Sequence, residues 1–286
     1  MATMQDIRRR TKSVQNIEKI TRAMKMVSAA KLRRAQTTLF AARPYADKMQ
    51  DVLRRLGSHT DTSLHALLST REIKKVGFVV ITSDRGLAGG FSANVIRAAE
   101  KAMQSYDREQ LALITIGRKG RDYFRRRNYQ IVGDFVGLGE EIGFTQARTI
   151  AQSIIELYLS GLLDEVQLVY PQFINTVTQR QTVTRLLPLQ APEAEQSKAA
   201  ESEYLFEPSP QAVLDNLLPR YVATLVYRAL LESKASEHGA RMAAMDAATK
   251  NAEELIKELT LSFNRARQAA ITREISEIVG GAEALK

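Results

Sequence analysis

The 286-residue chain has no cysteine and no tryptophan. The first absence excludes disulfides and thiolate metal sites. The second, with aromatic residues at only 6%, argues against a single large compact core, because such cores draw heavily on aromatic area. Histidine is equally scarce. His59, His65 and His238 stand far apart along the chain, which argues against a catalytic metal site. No apolar run approaches the roughly 18 to 20 residues that cross a bilayer, and no apolar core follows the basic N-terminus as it would in a secretory signal. That acid-poor start has the composition of a transit peptide, yet a patterned helix begins almost at once, so no dispensable leader is expected.

What is present in excess is positive charge, a formal net of +9. Residues 1–56 hold fourteen Lys and Arg against four Asp and Glu, so this segment alone supplies the whole excess. Such a run serves as a solvated face or nucleic-acid patch, or as a cationic helix set against an acidic protein surface. Composition leans slightly to the first.

Long stretches also lack the residues that break helices. From Met4 to Leu56 there is no glycine, and Pro44 is the sole proline. Apolar or small residues recur in steps of four and three as Val14, Ile17, Thr21 and Met24, then Ala35, Leu39, Ala42, Ala46, Met49, Leu53 and Leu56. This spacing predicts a helix of roughly 50 residues, about 75 Å long. Pro44 removes one ladder hydrogen bond and predicts a bend, and Gly57 with Ser58 predicts the end. The C-terminal segment mirrors it. A seam of Met242, Met245, Thr249, Ala252, Ile256, Leu259, Phe263 and Ala266 predicts a helix of roughly 70 residues starting near Pro208 and Pro210. Gly280 and Gly281 are its expected stop. Neither helix is stable alone in water, so the two are expected to pair antiparallel as a coiled coil.

Residues 74–190 change period. Val76 to Thr82, Leu111 to Ile116, Tyr129 to Val136 and Val166 to Tyr170 read as strands. Helical stretches from Ser92 to Ser105, Arg118 to Arg127 and Thr145 to Ser160 alternate with them. Asn175 to Leu187 reads as a further strand, antiparallel at an edge. The pattern predicts an α/β class protein: a small, Rossmann-like, mostly parallel sheet domain carried on the antiparallel coiled coil. The division is 1–57 for the first long helix, 58–73 for a linker, 74–190 for the α/β domain, 191–208 for a surface loop, and 209–286 for the last helix.

One motif sits where nucleotide loops sit: Ser83-Asp84-Arg85-Gly86-Leu87-Ala88-Gly89-Gly90, after the first strand. It is not G-x-G-x-x-G, and it lacks the G-K-[ST] ending whose Lys and hydroxyl engage phosphate and magnesium. Gly133, Gly137, Gly139 and Gly143 read as loop glycines. No nucleophile, base and orienting group can be assembled, and His238 reads as a packing residue. The basic segment lacks the interleaved aromatics of a single-strand binder.

The stretch Ile271 to Ala282 (ITREISEIVGGA) resembles the C-terminal signature of gamma subunits of F-type ATP synthases. Ile17 to Val27 (IEKITRAMKMV) is similar to that family's opening helix, and Ser83 to Gly90 resembles its S/T-D-R-G-L-x-G-G loop. Phe173 to Thr176 and Glu237 to Met245 fit as well, so the likeness spans essentially the whole chain. Ala88 departs from it, since many relatives carry Cys there, and thiol regulation as in some plastid relatives is excluded. The resemblance, to the bacterial type, implies a non-catalytic central rotor shaft. Its terminal helices would enter a hexamer of three alpha and three beta subunits, with the α/β domain near the membrane. Proton flow through a membrane c-ring would turn it, and an epsilon subunit would accompany it.

The same resemblance implies roles for particular residues. Met24 and Lys25 would meet the moving lever of beta, and Arg267, Gln268 and Thr272 would form a polar catch with beta. Arg85, with the Gly86 to Gly90 loop and Gly89 within it, would touch beta lower down. Tyr204, Leu205, Phe206 and Glu207 would lie near the c-ring and epsilon. No cofactor would bind directly; ATP, ADP and magnesium would bind partner subunits. The implied location is peripheral, on the cytoplasmic face of the bacterial cell membrane, with no nucleic-acid partner. A basic nucleic-acid protein and a nucleotide-dependent enzyme stand as the rival readings.

Overall fold

The structure, a computed structural model, describes residues 3–59, 65–176, 178–189 and 209–283. Its elements in chain order are α1 (Met4–His59), β1 (Val76–Ile81), α2 (Phe91–Met103), a 3-10 turn (Arg108–Gln110), β2 (Leu111–Ile116), α3 (Arg118–Arg126), β3 (Ile131–Phe135), α4 (Phe144–Leu159), β4 (Glu165–Phe173), β5 (Gln179–Leu187) and α5 (Pro210–Glu283). The chain divides into two compact units. One comprises Met1–Ala29 and Arg241–Lys286, the other Ala30–Ala240. The expected surface loop, 191–208, lies outside the described residues.

Helix α1 has a seven-residue repeat along most of its length. Ile7, Thr11, Val14, Glu18, Thr21, Ser28, Leu32, Ala35, Leu39, Ala42, Ala46, Met49 and Leu53 are all buried or half-buried. Their spacing alternates four and three, with exposed Lys25 filling the one gap in the series. Ile17, expected on this stripe, is 50% exposed. The strict repeat places Glu18 there instead, because a step of three from Val14 falls on the neighbouring face. The helix runs through Pro44 and past Gly57 and Ser58, and α5 likewise runs past Gly280 and Gly281. Glycine inside a helix costs only about 1 kcal/mol against alanine; without a left-handed cap it weakens a terminus rather than stopping it.

In the first unit the α5 seam lies as the periodicity predicts, with Met245, Thr249 and Ala252 buried and Met242, Ile256, Leu259, Phe263 and Ala266 half-buried. From Lys25–Asp246 to either Thr21–Thr249 or Arg22–Glu253 the position rises on α5 as it falls on α1. The pairing is therefore antiparallel.

The second unit is built on a five-stranded sheet of order β3-β2-β1-β4-β5. β1 lies parallel between β2 and β4, β2 pairs parallel with β3, and β5 closes the edge antiparallel to β4 from Val166↔Leu187 to Phe173↔Gln179. Every residue of β1 and β2 is buried, as expected of strands covered on both faces. Alternate side chains supply two cores. Val76, Phe78 and Val80 pack with Val95, Ala99 and Phe124 of α2 and α3. Ile114, Ile116 and Val79 pack with Ile150 and Ile154 of α4 and with Leu218, Val222 and Val226 of α5.

The junction of β2 with α3 depends on one glycine. Gly117 sits at φ +97°, and a Cβ there would lie 2.2 Å from the Thr82 carbonyl oxygen. Gly117→Ala should therefore destabilise the chain by about 2–4 kcal/mol through strain and displacement of β1. Urea denaturation of the full chain measures this; a loss within error of zero would refute it.

Candidate functional site

In open α/β sheets, ligands bind where the strand order reverses, at the carboxyl ends of the strands. Here that place lies beyond β1 and β4, and the Ser83 to Gly90 loop opens from it. The polar groups of the loop are used internally. Asp84 accepts backbone N–H groups from Arg118 at 2.9 Å and Gly137 at 3.0 Å. Ser83 Oγ lies 2.8 Å from Ser92 Oγ and donates to the Arg85 carbonyl, also at 2.8 Å. Thr82 Oγ1 accepts from the Gly120 N–H at 2.9 Å, fixing α3 to β1. A carboxylate tied down at this point would repel phosphate.

The crevice itself is occupied by α5. Ser236 Oγ donates to the Pro171 carbonyl at 3.2 Å, and Gly239 packs so closely that a Cβ would sit 3.2 Å from the Thr176 carbonyl oxygen. A cavity of about 20 Å³ is left among Thr82, Asp84, Gly117, Leu230, Lys234 and Glu237, room for a water rather than a nucleotide. Among the described residues no group of three or more His, Asp or Glu is placed to hold a metal ion.

The residues expected to act fall into two sets. Arg85 projects from the loop with its side chain 80% exposed, between Asp84 and Gly86; Leu87, two residues on, is itself 62% exposed at φ +63°. Gly89 adopts φ +56°. Arg85 Nη1 lies 3.5 Å from Glu140 Oε1, and Lys31 Nζ lies 2.8 Å from the same oxygen. His238, buried as a packing residue would be, brings Nε2 within 3.8 Å of Glu140 Oε2. Glu140 thus gathers cations from α1, the loop and α5. The Lys31 hydrogen bond, followed by charge from Lys31, Lys234 and His238, holds its carboxyl below the ordinary value of 4.5, against opposing burial. Sequence reasoning missed this hub, since Gly137 and Gly139 beside it read only as loop residues.

The second set lies on the helical pair. Met24 is half-buried, while Met26 and Val27 are 63% and 54% exposed. Lys25 occupies a seam position yet is 45% exposed, reaching sideways to Asp246 Oδ1 at 2.5 Å. Asp246 also pairs with Lys250 at 3.1 Å, and the two lysines lower its carboxyl pKa. One step along, the Thr249 hydroxyl lies 2.8 Å from Thr21 Oγ1, where it can donate, or it can donate to its own Met245 carbonyl at the same distance. Arg267, Gln268 and Thr272 are exposed on α5, joined by a 2.9 Å bond from the Thr272 hydroxyl to the Gln268 carbonyl. Tyr204, Leu205, Phe206 and Glu207 lie outside the described residues.

A pair of long antiparallel helices with exposed charged and apolar faces, together with an α/β unit whose ligand crevice is filled, defines a structural coupling subunit. Comparison with known proteins agrees. A family model described as ATP synthase matches residues 3–285. The ATP synthase gamma chain of Desulforamulus reducens is 55% identical over 286 residues, covering 100% of both chains, and that of Moorella thermoacetica has the same identity and coverage. A chain from the Tetrahymena thermophila mitochondrial ATP synthase central stalk and c-ring is similar at TM-score 0.63 and 26% identity, over 80% of this chain and 99% of that one. A chain of the Euglena gracilis mitochondrial ATP synthase shares the fold at TM-score 0.69 and 19% identity, over 99% and 94%.

The chain belongs to the ATP synthase gamma-chain family. Its place is the central stalk, as a rotor subunit that is not itself catalytic. No helix among the described residues is long and apolar enough to cross a membrane.

Two measurements follow from these sites. Thr21→Val and Thr249→Val should each lower stability by about 1 kcal/mol by leaving one hydroxyl without its cross-helix partner, while the double variant recovers most of the loss. Thermal unfolding of the full chain reads this, and strictly additive losses would contradict the shared bond. Because the Glu140 pKa is lowered by folding, its contribution is present above about pH 4.5 and is lost as pH falls through the lower folded value. Glu140→Gln should therefore flatten the acid limb of the stability-versus-pH curve, and an unchanged limb would show that the hub does not titrate with folding.

Proposed function

We propose that the chain couples proton flow through a membrane c-ring to ATP synthesis and hydrolysis by rotating inside a hexamer of three alpha and three beta subunits. It would be a peripheral protein on the cytoplasmic face of the bacterial membrane and would have an epsilon subunit as a further partner. In this reading residues 1–57 and 209–286 form the shaft, 58–73 a linker, 74–190 the α/β domain, and 191–208 a surface loop. ATP, ADP and magnesium bind the partner subunits and not this chain.

The observation that carries the reading is the division of α1 between an inward seam and an outward cationic face. Arg8, Arg10, Lys12, Lys19, Arg33 and Arg34 are exposed and suit an acidic partner surface. Each such contact is worth at most about 1 kcal/mol and weakens with salt. A rotor needs that property, because contacts made must also be broken. It biases its partners by differential contact rather than by chemistry.

Met24, Lys25, Arg85, Gly86 and Gly89 are the proposed contacts with beta along the shaft and loop. Arg267, Gln268 and Thr272 are the proposed catch, supported by their exposure on one helix. Tyr204, Leu205, Phe206 and Glu207 are proposed to meet the c-ring and epsilon. Co-expression with candidate alpha and beta subunits should give complexes with one copy of this chain per three of each. Arg267→Ala with Gln268→Ala should reduce ATP turnover of the assembled complex by about tenfold or more, the scale of a lost anchor pair. Unchanged turnover with normal assembly would sink the catch.

A further inference from the structure

The excess charge of residues 1–56 masks a second cationic surface. Residues 91–128 hold nine Lys and Arg against four Asp and Glu, offset in the total by acidic stretches elsewhere. This span forms α2, the 3-10 turn, β2 and α3. β2 is buried throughout, and α2 and α3 pack on the sheet face opposite α4 and α5, so the helical cations share one outer face. Two of the four carboxylates are already engaged. Glu100 accepts from the Tyr123 hydroxyl at 2.8 Å and lies 4.0 Å from Arg127, and Asp122 pairs with Arg121 at 2.9 Å. Arg118, Lys119, Arg125 and Arg126 are exposed, and none has an ion-pair partner among the described residues.

The charge is densest at one end. Helix α3 follows β2 and runs back toward its start, which brings the end of α3 beside Arg108, just before β2. Arg108 donates to the Arg127 carbonyl. Its guanidinium lies 4.8 Å from the Tyr129 ring centroid, and that of Arg127 lies 3.7 Å from the Tyr123 centroid. Tyr123, Phe124 and Tyr129 meet edge to face in one string, with centroids 5.3 Å apart at each step. Phe124 is fully buried, so the string is rooted in the core and its two ends are capped by arginines. Stacked guanidiniums are restrained before any ligand arrives, which lowers the rotamer entropy lost on binding.

The surroundings select the partner. Among the described residues no large apolar side chain is exposed between Leu87 and Val136. A protein interface gains most of its affinity from anchors seated in dry pockets, and this face has no apolar anchor to seat. Single-stranded nucleic acid needs open rings for stacking, and here the tyrosines lie beneath Arg108 and Arg127. What remains is dense positive charge on a polar surface, which fits a plane of anionic headgroups. There each Lys or Arg within a Debye length adds roughly fivefold to the partition. Position agrees. β1 begins at Val76 opposite Leu111 and Glu165, and β5 finishes at Leu187 opposite Val166. The arginine end of the sheet is therefore the end at which β5 finishes, and the Arg85 loop opens from the other end.

We propose that Arg108, Arg125, Arg126 and Arg127 form an electrostatic foot that rests on anionic phospholipid headgroups. The inference rests on the reading of the chain as a rotor at the membrane face, in which Arg85 meets beta from the far end of the same sheet. A shaft that turns cannot keep one stationary protein group in register, whereas laterally mobile headgroups offer the same charge at every angle. Such contacts form and break readily because they require no fixed geometry.

The test is flotation of the full chain with vesicles of phosphatidylcholine alone or rich in phosphatidylglycerol. The chain should float with the anionic vesicles and not with the neutral ones, and flotation should fall steeply as salt shortens the Debye length. Arg125→Glu with Arg126→Glu should weaken affinity for the anionic vesicles by about tenfold or more, and Arg125→Gln with Arg126→Gln by a smaller factor. Both pairs replace exposed side chains, and an unchanged thermal transition checks that the fold is kept. Arg8→Glu with Arg10→Glu, the same change of charge at exposed positions of α1, should cost less than about threefold. An equal or larger loss from the α1 pair overturns the proposal, because net charge alone then accounts for binding. Flotation indifferent to Arg125 and Arg126 overturns it as well. If the α3 substitutions abolish binding of poly-glutamate but spare flotation, the surface belongs to an acidic polypeptide and the proposal falls; the same pattern with single-stranded DNA assigns it to nucleic acid. Assembly with alpha and beta is scored separately. Assembly without flotation removes this inference alone, whereas flotation without assembly removes the rotor reading and leaves the lipid surface in place.

Discussion

A long amphipathic helix cannot stand alone in water, because its backbone hydrogen bonds do not offset the conformational entropy lost unless one face is buried. The 56 residues of α1 and 74 of α5 make this the dominant constraint on the chain. In the first unit each helix covers the other. In the second, Leu218, Val222 and Val226 of α5 cover one face of the sheet, and Leu53 of α1 joins the same core. The absence of tryptophan and the low aromatic content follow from this economy. Alanine, threonine and serine at seam positions bring backbones close, and large rings there would hold them apart.

The seam is not uniformly apolar. Glu18, Thr21, Lys25 and Ser28 are consecutive seam positions on α1, facing a stretch of α5 that includes Asp246, Thr249 and Glu253. A polar layer weakens a coiled coil but selects its register, since a slip by one heptad would set the Thr21 hydroxyl against Met242 or Ile256 in place of Thr249. A device that must not slip under load gains more from register than from the lost burial.

Much of this architecture is legible in the sequence. The five strands and the edge position of the last were readable because doubly buried strands such as Val76 to Ile81 carry no polar interruption, and the α5 seam was readable from its spacing. The errors have a common cause. Ile17 joins the seam by a local step of three from Val14, and Gly57, Gly280 and Gly281 end helices by residue type; long-range periodicity overrides the first and the tolerance of helices for glycine the others. The Glu140 hub was invisible because Lys31, Arg85 and His238 are far apart in sequence, and only the folded unit brings them to one carboxylate. The filling of the ligand crevice was equally hidden, since nothing in the spacing of Ser236 or Gly239 announces that α5 lies across β4.

The end of α5 presses the argument toward assembly. The last seam position with a half-buried side chain is Ala270; beyond it every described side chain is exposed, including Ile271 at 48%, Ile275 at 57%, Ile278 at 71% and Val279 at 60%. These residues follow one another in steps of four, three and one, so they form a stripe and not a scatter. A stripe of β-branched residues on a lone helix lowers its propensity and leaves apolar area in water. Both penalties are removed only if another surface meets that stripe. Among the described residues none covers that stripe. The apolar tip is therefore intelligible as one half of a contact, which is what a central-stalk subunit requires of it.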